Sequence, residues 1–234
     1  MHVFFIPDID SNDLVILDED ESKHCIKVLR LGKGDHIHLI DGIGGFYTAE
    51  ITEGDQKKCN LQILDKITEY GKRNFYVHIA IAPTKSMERF EWFLEKATEI
   101  GIDEITPVIC ENSERKTIRK ERLERIIISA MKQSLKAYKP VLNDLSEFKD
   151  FIEKNINGQK YIAHCHEGIK SHLKTVYSPG EDAVILIGPE GDFFLREVTM
   201  AKTRGFKEIS LGNSRLRTET AGVIACHTIS LLNE

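Results

Sequence analysis

The alternation of apolar and polar positions changes character near residue 75. Before it, apolar residues recur in short runs of period two. Ile37 and Leu39 alternate with His36 and His38, Asp41-Gly42-Ile43-Gly44-Gly45 interrupts, and alternation resumes from Phe46 to Ile51. That pattern predicts strands at 36–40 and 46–51 joined by a glycine turn, with a further strand at 59–64. Residues 21–31 carry a helical rhythm through Cys25, Val28 and Leu29 that stops near Gly32. The polar segment 69–74, which contains Gly71, reads as a linker.

Beyond it, strand and helix signals alternate. An apolar run at 75–82 precedes a helix at 87–100, in which Phe90, Phe93, Leu94, Ala97 and Ile100 share one face and Gly101 is placed as the C-terminal cap. Strand-like runs follow at 105–109, 161–163, 183–187 and 208–211, with helices near 118–136, 195–204 and 218–232. Strands alternating with helices predict a parallel sheet covered on both faces.

The chain has 234 residues, long enough for one large or two modest domains, and 41% hydrophobic content, enough to fill a core. No apolar run approaches the roughly 18 residues of a membrane helix, and the N-terminus lacks the pattern of a signal peptide. Five scattered cysteines with no Cys-x-x-Cys pair fit reduced thiols in a cytoplasm, with no structural zinc site. The formal net charge of −5 is unevenly spread. Residues 1–70 hold 7 Lys/Arg against 14 Asp/Glu, and the rest 25 against 23. Within 114–139, 9 basic residues stand against 3 acidic ones. Such a stretch is either a solvated helix face or a phosphate-facing surface, and charge alone does not separate the two.

Two loops carry the candidate chemistry. Leu186-Ile187-Gly188-Pro189-Glu190-Gly191-Asp192 and Leu211-Gly212-Asn213-Ser214-Arg215-Leu216-Arg217-Thr218-Glu219 each lie between a strand and a helix, where open α/β sheets bind ligands. Gly188 and Gly191 are expected to adopt backbone conformations closed to other residues and to admit a ligand close to the main chain. No phosphate-loop or dinucleotide glycine pattern occurs, which argues against a nucleoside triphosphate enzyme. His164-Cys165-His166-Glu167 has the residue types of a metal cluster, but strand alternation sends Cys165 away from the two histidines. Trp92 and Phe93 read as core or interface.

The spacing of Gly-Pro-Glu-Gly, about twenty residues, then Leu-Gly-x-x-x-Leu-Arg-x-Glu-Thr-Ala resembles the C-terminal signature of the RsmE family. The resemblance extends to His24-Cys25-Ile26-Lys27-Val28-Leu29-Arg30, Glu95-Lys96-Ala97-Thr98-Glu99-Ile100-Gly101, Ala130-Met131-Lys132-Gln133-Ser134 and Pro140. It implies a SPOUT-type α/β domain at 73–234, with a parallel sheet and a trefoil knot, a rare exception to unknotted topology. It also implies a small PUA-like β-barrel domain at 1–72 that binds RNA. The chain departs from the family pattern in Asp192 (commonly glycine), in Asn213-Ser214-Arg215 (commonly Pro-Arg-Ile or Pro-Arg-Val) and in Lys136 (commonly arginine). Arg215 is the candidate to replace the displaced arginine, one position later.

The implied activity is methylation of uridine N3 in 16S ribosomal RNA from S-adenosyl-L-methionine, without a metal because the sulfonium is already an activated donor. The resemblance assigns cofactor binding to Leu186, Ile187, Gly188, Pro189, Glu190, Gly191, Leu211, Gly212, Ser214 and Leu216, largely through main-chain groups. Arg217 and Glu219 are the expected catalytic pair, Arg217 for developing charge and Glu219 for the N3 proton, with Glu190 as the other available carboxylate. At its helix start, Glu219 alternatively serves the helix dipole. Arg30, Arg115, Lys116 and Lys136 are the expected RNA contacts. The implied substrate is free 16S RNA or the assembled small subunit. The implied assembly is a cytoplasmic homodimer, to which Val223, Ile224, Ile229, Leu231 and Leu232 of the last helix offer an apolar surface, unless that face is ordinary core. Competing functions are a SPOUT enzyme with another RNA target, a small-molecule methyltransferase, and an RNA-binding assembly factor with a decayed knot. Intact Gly188, Gly191, Gly212, Arg217 and Glu219 argue against decay.

Overall fold

The computed structural model describes residues 1–7, 9 and 13–234, which sort into two units: Met1–Lys72 with Met131–Lys139, and Arg73–Ala130 with Pro140–Glu234. In the first, β1 (Val3–Phe5), β2 (Leu14–Ile16), β3 (His36–Ile40), β4 (Phe46–Glu53) and β5 (Asn60–Ile67) pair in the order β1-β3-β4-β5-β2. All neighbours are antiparallel except β1 with β3. Alternation along β3 and β4 buries Ile37, Leu39, Ala49 and Ile51. Phe4 and Val15 lie on opposite edge strands yet join one core cluster, so the sheet curls around its own apolar face.

The helical rhythm at 21–31 resolves into α1 (Glu19–Lys23) and a π-helical turn over His24–Val28. The start is earlier than the apolar pattern indicates because the Asp18 carboxylate caps it, accepting from Glu21 N at 2.8 Å. Arg30, at φ 58°, ends the helical run. In the turn after β3, Asp41 accepts from the amides of Ile43 and Gly45 and from the Tyr47 hydroxyl. Met131 and Ala137 pack on Ile40 and Phe46, and Lys132 pairs with Glu21 at 2.6 Å.

The second unit contains β6 (Val77–Ile81), α2 (Met87–Ile100), β7 (Glu104–Ile109), most of α3 (Lys120–Ser134), β8 (Val141–Leu142), β9 (Ser146–Glu147) and α4 (Phe148–Glu153). It continues through β10 (Gln159–Ala163), β11 (Ser171–His172), α5 (Leu173–Val176), β12 (Ala183–Ile187), α6 (Leu195–Thr203), β13 (Lys207–Ser210) and α7 (Thr218–Leu232). The sheet is parallel, in the order β11-β13-β10-β12-β6-β7-β8, with β9 beside β7. Every residue of β6 and β12 is buried, as expected of central strands covered on both faces. Val77, Ile79 and Ile81 face a core shared with α2, α3 and α7, and Ala80, Val184 and Leu186 one shared with α4 and α6. Gly101 caps α2 at φ 117°, as its position predicts. Among the described residues, no helix is long and apolar enough to cross a membrane.

Candidate cofactor cavity and adjoining recess

The loop after β12 is built for close packing. A Cβ on Gly188 would lie 3.0 Å from two ring carbons of Phe193, and one on Gly191 would lie 3.1 Å from Asn112 Cβ. Neither glycine has positive φ, which corrects the expectation that both adopt conformations closed to other residues; they are small because neighbouring side chains occupy the space. The left-handed residue here is Asp192, at φ 63°. Its carboxylate accepts from Cys165 N and Phe193 N, each at 2.8 Å, joining this loop to the end of β10. Asn112 Nδ2 donates to the carbonyls of Gly191 and Asp192. Glu190 Oε1 accepts from Lys85 N at 2.9 Å, anchoring the segment after β6.

The second loop turns at Gly212, where φ of 136° favours glycine. At its far end the buried Thr218 Oγ1 donates to Gly188 O at 3.0 Å. That bond brings the two loops, separated by β13 in sequence, to one place.

Between them lies a cavity of about 590 Å³. From the first loop it is lined by Ile187, Gly188, Pro189 and Glu190, and from the second by Leu211, Gly212, Ser214, Leu216 and Arg217. Leu186 and Gly191 do not line it: Leu186 points into the core beneath α6, and Gly191 backs onto Asn112. The cavity's size and its mix of backbone, small apolar groups and a few polar ones fit a nucleoside-sized ligand such as S-adenosyl-L-methionine. A third wall escaped the sequence reading. Ala163, His164, Cys165 and Lys170 complete the cavity because β10 neighbours β12, an adjacency that sequence order does not reveal.

That wall has its own order. Lys170 Nζ donates to the carbonyls of His164 and His166, and His166 Nε2 lies 2.6 Å from Phe193 O. His164 is held below its usual pKa by burial and by the Lys170 charge, so at neutral pH its uncharged ring donates from Nε2 to Glu208 at 3.0 Å. The two histidine rings stand 5.3 Å apart, but both lie past the end of β10, and Cys165 lines the cavity beside His164, so the strand alternation expected of this segment does not hold.

Glu219 does not line this cavity. It borders an adjoining recess of about 330 Å³ with Glu88, Arg89, Trp92, Arg217 and Thr220. Arg217 lines both spaces. The cation beside Glu219 is Arg89, with Nε 3.9 Å from Oε1. The first turn of α7 carries Glu219 toward α2. Its side chain is 7% exposed, and Oε2 is buried without a protein partner.

The expected RNA contacts are dispersed in character. Arg30 and Lys116 are exposed, and Lys136 is half-buried. Arg115 spends its guanidinium on the carbonyls of Thr84 and Lys85. In the same basic stretch, Lys120 pairs with Asp144 and Arg122 with Glu91. On α7, Ile229 is buried, Val223 and Leu232 pack against the core, and Leu231 is exposed. Phe93 is core, whereas Trp92 is exposed.

The family model described as an RNA methyltransferase domain matches residues 71–230, and that described as an RNA methyltransferase PUA domain matches residues 17–64. Ribosomal RNA small subunit methyltransferase E of Aquifex aeolicus is 31% identical over 233 residues, covering 95% of this chain and 96% of that protein. The crystal structure of a "probable rRNA-methyltransferase" from Porphyromonas gingivalis is 44% identical, with a TM-score of 0.92 over 100% of this chain and 98% of that one. Ribosomal RNA small subunit methyltransferase E from Neisseria gonorrhoeae, solved bound to S-adenosyl methionine, is 27% identical, with a TM-score of 0.89 over 100% and 98% of the two chains. The chain therefore belongs to the RsmE family of ribosomal RNA small subunit methyltransferases, with a PUA-like domain in its N-terminal part and a SPOUT-type α/β domain following it in sequence.

Proposed function

We propose that this chain methylates N3 of a specific uridine in 16S ribosomal RNA, using S-adenosyl-L-methionine. The observation that carries the reading is the Thr218–Gly188 bond, which joins the two glycine loops around one nucleoside-sized cavity with Arg217 at its margin. Bound there, the cofactor supplies a methyl group on a sulfonium. The loop backbones at Gly188, Pro189, Leu211 and Gly212, with Ile187, Glu190, Ser214 and Leu216, hold it, and Leu186 and Gly191 support the loop from behind. Uridine N3 keeps its proton near neutral pH, so the protein must help remove it and stabilise charge on the flanking carbonyl oxygens. Glu219 takes the proton and Arg217 faces the developing charge.

Residues 1–72, joined by 131–139, form the RNA-binding domain, and the remainder of 73–234 the methyltransferase domain. Arg30, Lys116 and Lys136 contact phosphate. Arg115 contributes by fixing the segment after β6. The substrate is 16S RNA, free or in the assembled small subunit, and the working form is a cytoplasmic homodimer.

The test is nucleoside mass spectrometry of small-subunit RNA from a deletion strain, before and after incubation with the purified chain and labelled S-adenosylmethionine. N3-methyluridine absent in the deletion and restored with label is the expected result. Its presence in the deletion strain, with no label entering RNA, would overturn the assigned target.

A further inference from the structure

The recess beside the cofactor cavity has a hydrogen-bonding pattern of its own. Glu88, Arg89 and Trp92 come from the first turns of α2, and Arg217, Glu219 and Thr220 from the start of α7. Glu219 brings a carboxylate whose Oε2 has no protein partner, and an unpaired buried acceptor costs free energy that a ligand N–H would recover. Arg89 and Arg217 bring guanidinium donors on the same walls. The lining thus offers guanidinium donors from Arg89 and Arg217 together with the unpaired Glu219 acceptor, and Glu88 adds a second carboxylate. The Watson–Crick edge of uracil complements those donors and the unpaired acceptor: carbonyl O2, N3–H, carbonyl O4. Cytosine places an acceptor at N3 and a donor at C4, which would face a carboxylate and a guanidinium unpaired.

Trp92 supplies the remaining element. Its neighbours on α2, Phe90, Phe93 and Leu94, are fully buried, yet Trp92 is 42% exposed at the recess. An exposed indole beside a hydrogen-bonding cluster is a stacking platform for a base. Enzymes that work on an atom hidden inside a helix act on a single-stranded base or turn it out of its stack, and read it by its edge and its face. Arg217, which lines both spaces, sets the recess directly beside the cofactor cavity.

We propose that this recess is the subsite for the turned-out uracil, with Trp92 stacking on the ring and Arg89 holding one carbonyl while Glu219 accepts the N3 hydrogen bond and then its proton. The proposal rests on the function above and adds the recognition element.

Trp92 is the sole tryptophan of the chain, so its fluorescence reports on this recess alone. The full-length protein, without cofactor, is titrated with a short single-stranded RNA containing one uridine and with versions carrying N3-methyluridine or cytidine there. Binding is followed in parallel by anisotropy of a labelled copy. The expected result is saturable quenching by the uridine strand, with affinity at least tenfold weaker for the other two. Arg89→Gln loses that preference, and Arg89→Lys recovers part of it. Trp92→Ala weakens binding about tenfold or more, and Trp92→Phe keeps most of it without the signal. Thermal melts establish that each variant folds. Equal quenching by all three strands would overturn the proposal, as would binding by anisotropy with Trp92 silent. So would emission that responds only to protein concentration, which would assign Trp92 to contact with a second copy of the chain. If the wild type forms N3-methyluridine in RNA while any of these holds, the subsite is wrong and the function stands. If it forms none, both fall.

Discussion

Asp192 shows how one departure from a family pattern is absorbed. A left-handed φ of 63° suits glycine, and a side chain there costs about 1–2 kcal/mol unless it hydrogen-bonds locally, which aspartate can do. Here the carboxylate receives Phe193 N from its own turn and Cys165 N from the neighbouring wall of the cavity. The residue that strains the loop thus also ties it to β10. Asp192→Ala should keep the strain and lose both bonds, lowering stability by about 1–3 kcal/mol and weakening cofactor binding. Asp192→Asn should fall between. Thermal melts and calorimetric titration with S-adenosylmethionine check this, and an alanine variant matching the wild type in both would refute it. The departure itself is legible in the sequence. Its compensation is not, because Cys165 becomes a neighbour only through the pairing of β10 with β12. Gly188 teaches the complementary point: the sequence marks a special position, but the reason is the Phe193 ring, 3.0 Å from where a Cβ would stand.

At the scale of elements, helices with a continuous apolar face and a clear stop were readable nearly to the residue. α2 runs from Met87 to a Gly101 cap, and α7 spans the predicted 218–232. Short pieces were not: β1, β2, α4 and α5 hold too few residues to show a period and exist through packing. α3 reads as one amphipathic helix, yet its last turn, from Met131, packs with the first unit, and no local pattern announces such a partner. Glu219 illustrates the same limit at the site. Two positions after Arg217, it enters the helix and turns toward Arg89, more than a hundred residues earlier in the chain. The juxtaposition depends on how tightly α2 and α7 pack. Gly222 is their contact point, where a Cβ would lie 2.6 Å from the Phe93 ring and 3.0 Å from Ile81 Cδ1. Gly222→Ala gains about 1 kcal/mol of helix propensity but overpacks a core contact at about 1–3 kcal/mol. A net loss of thermal stability and a weakened uracil subsite are expected. An unchanged melting midpoint with unchanged Trp92 quenching would show that the helices separate freely.

For the molecule as a whole, the ionisable groups buried around the parallel sheet set how stability responds to acid. His78, the second residue of β6, is 5% exposed, packs edge-on against Phe151 and shares a hydrogen bond of 2.8 Å with Thr106. Burial pulls its pKa down from 6.5 to about 4; Glu104, 3.6 Å away, opposes that shift and Lys154 adds to it. A base depressed in the folded state stabilises fully above its unfolded pKa, and the contribution fades as pH falls from 6.5 toward 4, because the unfolded chain takes up a proton the folded chain refuses. His164, lowered by burial and Lys170, acts in the same direction. Asp103 and Glu197 act oppositely. Burial raises both, so the folded state takes up their protons at higher pH than the unfolded chain does, and they add stability as pH falls through their raised values toward 3.8 and 4.5. Between pH 6.5 and 5 His78 therefore subtracts stability, at up to about 1.4 kcal/mol per pH unit for a fully titrating group, while the buried carboxyls work against it. Melting midpoints measured from pH 7.5 to 5 should lose more for the wild type than for His78→Gln, which is less stable at neutral pH through altered packing but lacks this acid-sensitive contribution. Parallel slopes for the variant and the wild type would mean that His78 carries no acid sensitivity. Binding linkage separates this effect from the cofactor's, since S-adenosylmethionine should raise the midpoint at every pH without removing the difference between the two slopes.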